Sequence, residues 1–217
     1  MLKRYLARHN LPDFNHLSLQ FNKWRVAVWD KQDLHEVVNK PSIMFPFIDK
    51  IMAEIHNNPK TTIKYDQLTE KYGLPIMKIK PRNIQDEIDN IIPSAGLRVM
   101  AQRGTGASST TNTHMAVGDD PTPEALGDTV LGNEIDRKSI VTYGTRGVPS
   151  GTAIEQYGMP WLDTDFTVPE TLDEAGLLTA GTGGTLIAHV TFATKTIDAG
   201  QIMTTQVNIT HQNGTQV

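Results

Sequence analysis

Cysteine is absent from the 217 residues, which excludes disulfide staples, thiolate metal sites and a cysteine nucleophile together. No stretch approaches the ~20 consecutive apolar residues that a membrane-spanning helix requires. The opening "MLKRYLARHNLPDF" carries basic residues but lacks the apolar run of a secretory signal, so a cytoplasmic start is expected. Charge is scarce in one sign at each end. Residues 1–93 hold 14 basic against 11 acidic side chains (+3), and residues 94–217 hold 6 against 13 (−7), for a net charge of −4. A small surplus spread over the first part is not the clustered basic footprint of a nucleic-acid binder, which argues against such a partner. The apolar share of 38% and charged share of 20% fit a globular chain with a real core and much exposed surface.

Recognisable catalytic motifs are also missing. The glycine-rich pieces "GTGASST" from Gly104 and "GTGG" from Gly181 neither end in Lys-Ser/Thr nor open a helix, so they read as turns rather than phosphate loops. The acidic pieces Gly118-Asp119-Asp120 and Asp163-Thr164-Asp165 lack the ligand order of a calcium loop. None of the histidines His9, His16, His35, His56, His114, His189 and His211 has the i, i+4 spacing of a zinc site, and His189 reads as packed or partly exposed in a strand. There is no G-x-S-x-G elbow, although a Ser-His-Asp triad is recognised by geometry and not by order. Glu134 and Asp136 flank Ile135 as on a solvated strand edge. No catalytic or metal-binding residue and no cofactor is assigned. Trp24 and Trp29 suit a small core or a sugar platform. Trp161, after Met159-Pro160 in a loop setting, suits a strand-edge plug or an interface anchor.

What is present changes texture near Pro93. The expected fold class is α+β: a mixed, helix-rich domain over residues 1–93, then an antiparallel β-sandwich, jelly-roll or immunoglobulin-like, over 94–217. Ile43, Met44, Phe47, Ile48, Ile51, Met52 and Ile55 recur at helical spacing, with Pro46 in the first turn and Asn57-Asn58-Pro59 as a stop. A short helix is predicted over 65–72. Residues 16–30 alternate as a strand, and Ile84, Ile88 and Ile91 are spaced for one face of a helical turn. Beyond Pro93, strands are predicted over 97–102, 114–117, 138–145, 165–168, 185–193 and 201–211. In "LDEAGLLTAGTGGTLIAHVTFATKTI", Glu174 to Leu178 is expected to turn the chain and "TAGTGG" to form a loop. Leu186, Ala188, Val190 and Phe192 would then line the inner face.

The order of pieces in residues 113–210 resembles a group of tailed-bacteriophage virion proteins, the tail-fibre or minor structural type. Their "mavG…Pa…dtaLg.E..R" lead is matched by "THMAVGDDPTPEALGDTVLGNEIDRKSI" through Met115, Val117, Gly118, Pro121, Leu131, Gly132, Glu134 and Arg137. Their "EaGLf" piece is matched by Glu174-Ala175-Gly176-Leu177-Leu178. "TLIAHVTF", Lys195 and "QIMTTQVNITH" then follow in order. Leu178 stands where the group has an aromatic residue, and a tryptophan of the last strand is replaced near Val207. The resemblance implies a non-enzymatic virion component of neck, collar or tail, made in the host cytoplasm and assembling with other virion proteins and its own copies. A head fibre or capsid decoration protein is the alternative, followed by a module binding host glycan through Trp161 and a polysaccharide hydrolase using Asp163 and Asp165. Trp161, Arg137 and Glu134 are the candidate interface residues.

Overall fold

The computed structural model describes residues 19–34, 43–46, 48–50, 82–104, 106–148 and 152–212. Among the described residues, nine strands form two wholly antiparallel sheets. The five-stranded sheet has the order β2 (Asn83–Asp89), β1 (Leu19–Asp30), β9 (Gln201–Gln212), β6 (Thr152–Leu162), β5 (Val141–Val148). The four-stranded sheet runs β4 (Glu134–Ser139), β3 (His114–Gly118), β7 (Glu170–Leu178), β8 (Leu186–Ile197). Helices α1 (Lys31–Leu34) and α2 (Ser94–Gly104) accompany them, and residues 43–46 and 48–50 are helical as well. The chain changes sheet through α2, at Ile140, at the 3-10 turn Asp163–Asp165, and at the tight turn before β9, where Gly200 adopts φ 80°.

Alternation decides which side chains face the interior. Trp24, Val26 and Val28 of β1, Tyr157, Met159 and Trp161 of β6, and Met203, Val207 and Ile209 of β9 meet Met115, Val117, Leu172, Ala175, Leu177, Val190 and Phe192 from the opposite sheet. Each large side chain so buried contributes roughly 1.5–3 kcal/mol. The middle strand β9 is enclosed on both faces, which its threonines do not suggest. Its hydroxyls are used: Trp29 Nε1 donates to Thr204 Oγ1 and Trp161 Nε1 to Thr205 Oγ1, both at 2.9 Å, on opposite sides of the sheet. Over the far face lie helical residues 43–46 and 48–50. The Phe45 ring fills the space above Gly158, where a Cβ would come within 2.6 Å of it. Asp49 accepts from Arg25 at 2.8 Å and from Gln206 at 3.1 Å.

The antiparallel sandwich is thus present, whereas the described residues do not support a helix-rich N-terminal module. β1 pairs with β9 along its whole length, from Leu19 opposite Gln212 to Asp30 opposite Gln201, so residues on both sides of Pro93 build one sheet. The expected helical turn with Ile84 and Ile88 is strand β2. An interval of four is even, so it keeps one face of a strand as well as of a helix. The helix predicted over 43–55 is seen at 43–46 and 48–50, and its remainder, like the helix predicted over 65–72, lies outside the described residues.

Conversely, the strand predicted over 97–102 is helix α2, opened by the Leu97 amide donating to the Pro93 carbonyl at 2.9 Å. It presses on β8 at Gly96, where a Cβ would stand 2.7 Å from the Ile187 carbonyl oxygen. In place of the strand predicted over 165–168, Asp165 closes the 3-10 turn and residues 166–168 are bends. The predicted turn at Glu174 to Leu178 is instead the buried half of β7, and β6 was not foreseen as a strand. Strands over 114–117, 185–193 and 201–211 appear close to the expected limits, while 138–145 divides at Ile140 into β4 and β5. The loop at 179–184 also holds, with Gly183 and Gly184 at φ 59° and 78°. Leu186 leaves the inner face. Leu177 pairs with Ala188 but Leu178 with Leu186, so Ile187 is an extra residue that reverses the alternation.

Candidate functional site

The outer face of the four-stranded sheet is covered by residues 119–133, the connection between β3 and β4. Leu131 from this connection packs with Ala116, Leu178 and Leu186. Gly176 makes the room, since a Cβ there would lie 2.7 Å from Leu186 Cδ1 and 2.9 Å from Leu131 Cδ2. Alternation on β7 sends Glu174 to the same face, where it is 1% exposed. Its carboxylate accepts the Gly132 amide at 3.0 Å and the Asn133 amide at 2.9 Å. Gly118 permits this approach, because a Cβ there would stand 2.4 Å from Glu174 Oε1.

His189, on β8, lies between two carboxylates. Its Nε2 is 2.9 Å from Glu174 Oε2 and its Nδ1 is 2.8 Å from Asp128 Oδ2. The strand is pinned there by reciprocal 3.0 Å backbone bonds between His189 and Ile91. Burial alone would lower the ring's pKa, but hydrogen bonds to Glu174 and Asp128, with their charges, outweigh it and raise the value. Burial likewise opposes the charge on Glu174, yet bonds from His189, Asn133 and Gly132 carry its pKa below the usual carboxylate range. Asp128 also accepts the Ala125 amide at 2.7 Å, and Thr191 Oγ1 donates to Glu124 at 2.6 Å. A depression of about 360 Å3 opens here, lined by Asp120, Thr122, Asp128, Leu131, Glu174 and His189. A histidine ring held between two carboxylates fastens a loop well. It offers no nucleophile, and among the described residues no group of three histidine, aspartate or glutamate side chains is placed to hold a metal.

A second fastening lies at β4. Arg137 Nε donates to Glu134 Oε1 at 2.8 Å, and Arg137 Nη1 reaches the carbonyls of Ala180 at 3.0 Å and Gly183 at 2.8 Å, tying β4 to the β7–β8 loop. Lys195 Nζ donates to Asn83 Oδ1 at 2.9 Å and joins the two sheets. Burial lowers the pKa of this amine.

No protein-family model, curated protein or solved structure matches the chain.

The other candidates resolve by geometry. Trp161 is in strand β6 and fully buried, with Lys138 Nζ 5.5 Å from its ring centroid, so it is a core plug and not an exposed interface anchor or glycan platform. Trp24 and Trp29 are buried as well, on opposite faces of β1. The acidic pair is consumed by lysines: Asp163 accepts from Lys31 at 2.8 Å, and Asp165 from Lys138. Ser139 Oγ lies 3.2 Å from His114 Nε2, whose Nδ1 is 2.8 Å from Thr113 Oγ1. That hydroxyl donates to the Thr179 carbonyl, so a neutral group occupies the place where a triad carries its carboxylate. Sequence inspection left Glu174, His189 and Asp128 unconnected, because they are separated by 15 and 61 residues. The available signal was Gly118 and Gly176, whose missing side chains make space for the buried carboxylate and for Leu131, and Gly132, where a side chain would collide with Asp120.

Proposed function

We propose that this chain is a non-enzymatic structural component of a tailed-phage virion, at the neck, collar or tail, which assembles through protein contacts with neighbouring proteins and further copies. The observation that carries this reading is the convergence of the residues on which the resemblance rests. Gly118, Leu131, Gly132, Glu174 and Gly176 meet under one loop, and Glu134 with Arg137 secures the adjacent loop. Their chemistry is spent inside the protein, on holding two surface loops in fixed shapes over a rigid sandwich. A fixed loop surface suits a particle component, because repeated contacts between copies require the same shape in each.

Mass spectrometry of gradient-purified particles tests the proposal. The protein is expected at a stoichiometry of a few to a dozen or so copies, with antibody label at the neck or tail in electron micrographs. Scores to hundreds of copies over the capsid would instead indicate a head fibre or decoration protein. Absence from particles, with the chain abundant in the infected cell, would end the virion reading.

A further inference from the structure

We propose that residues 119–133 form a pH-gated flap, held on the outer face of the four-stranded sheet by doubly protonated His189 and released when that ring loses a proton. The inference stands on the geometry of the latch and is independent of which particle the chain joins. A carboxylate only accepts hydrogen bonds, and both ring nitrogens lie within 2.9 Å of carboxylate oxygens, so both must carry hydrogen. A neutral imidazole can donate to one side alone. Its other nitrogen would then present a lone pair to a carboxylate, with 5% of the side chain exposed and little room for water to intervene.

Neither acid can retreat without a loss. Glu174 is held by the Gly132 and Asn133 amides, and Asp128 by the Ala125 amide. The groups facing the ring are Glu174 from β7, with Asp128 and, at longer range, Asp120 from the flap. Glu124, also on the flap, is held by Thr191 beside it. All four are acidic, so removing the ring proton takes away the positive charge between them and sets the carboxylates of sheet and flap against one another, opposed by the bonds of the Gly132 and Asn133 amides to Glu174 and of Thr191 to Glu124. A histidine with its pKa raised contributes stability that is complete below the ordinary value of 6.5 and is lost as pH rises through the elevated folded value, which places release on the alkaline side.

The chain's lack of cysteine supplies the test. Leu131→Cys puts one thiol beneath the flap, where Leu131 is 3% exposed, and Val190→Cys puts one in the inner core. Labelling rates are divided by those of a cysteine peptide at each pH to remove thiolate ionisation. Protection of the cysteine at 131 should fall by at least about tenfold as the pH rises above the ordinary histidine range, while that at 190 persists. Adding His189→Gln should leave position 131 unprotected at neutral pH and abolish the pH response. Backbone amide exchange of the unsubstituted protein at residues 131–133, corrected for intrinsic rate, should show the same alkaline opening. Constant protection of both the thiol at 131 and these amides would overturn the proposal, as would parallel loss at 131 and 190.

Discussion

The two sheets are each covered on their outer side, by opposite means. The five-stranded sheet lies under helical residues 43–46 and 48–50, whose Met44, Phe45 and Ile48 are fully buried, as is Trp29 of β1. The four-stranded sheet lies under residues 119–133, held by a small apolar cluster around Leu131 and by the charges of Glu174, His189 and Asp128. The apolar cover depends mainly on area removed from water, with the Arg25–Asp49 ion pair at its edge. The charged cover is directional, fixes one loop shape, and depends on protonation.

The largest expected effect is on the apolar side. Phe45→Ala should lower stability by about 3–5 kcal/mol in urea unfolding, by the same amount at every pH, because it removes a buried ring and leaves a cavity above Gly158. Glu174→Gln should lower it by about 3 kcal/mol near neutrality, since the buried imidazolium loses a partner. Here the loss should change with pH. Glu174, with a depressed pKa, contributes above its ordinary 4.5 and ceases to do so as pH falls through its folded value, whereas His189 ceases as pH rises. A Glu174→Gln loss that stayed constant with pH would erase the contrast. Gly176→Ala should come next, at about 1–3 kcal/mol, because the added methyl collides with Leu186 and Leu131. Arg137→Ala should have the smallest effect, about 1 kcal/mol, with faster amide exchange confined to residues 179–184 as the sharper readout.

Where one periodicity stood alone, the structure was legible in the chain. Strands β8 and β9 alternate clearly and lie where expected, and the 179–184 loop follows from its glycines. Ambiguity arose where two periods coincide: Ile84 and Ile88 suit a helix or a strand, and Leu97, Val99 and Ala101 alternate although they sit in α2. β7 was missed because an acid inside a fully buried stretch looks like a turn until its partners are known. The site itself was legible only as separate residues, Gly118, Gly132, Glu174 and Gly176, with nothing to join them. A hydrogen bond from β8 to a loop 61 residues away leaves no local pattern.

The neighbouring threonines of β9 give the molecule an optical readout of each layer. Thr204 grounds the indole of Trp29 towards the helical cover, and Thr205 grounds that of Trp161 towards the inter-sheet interior. With Trp24 replaced by phenylalanine, two chromophores would remain, one per layer, so that emission from single-tryptophan versions would tell whether the cover peels away before the sandwich parts.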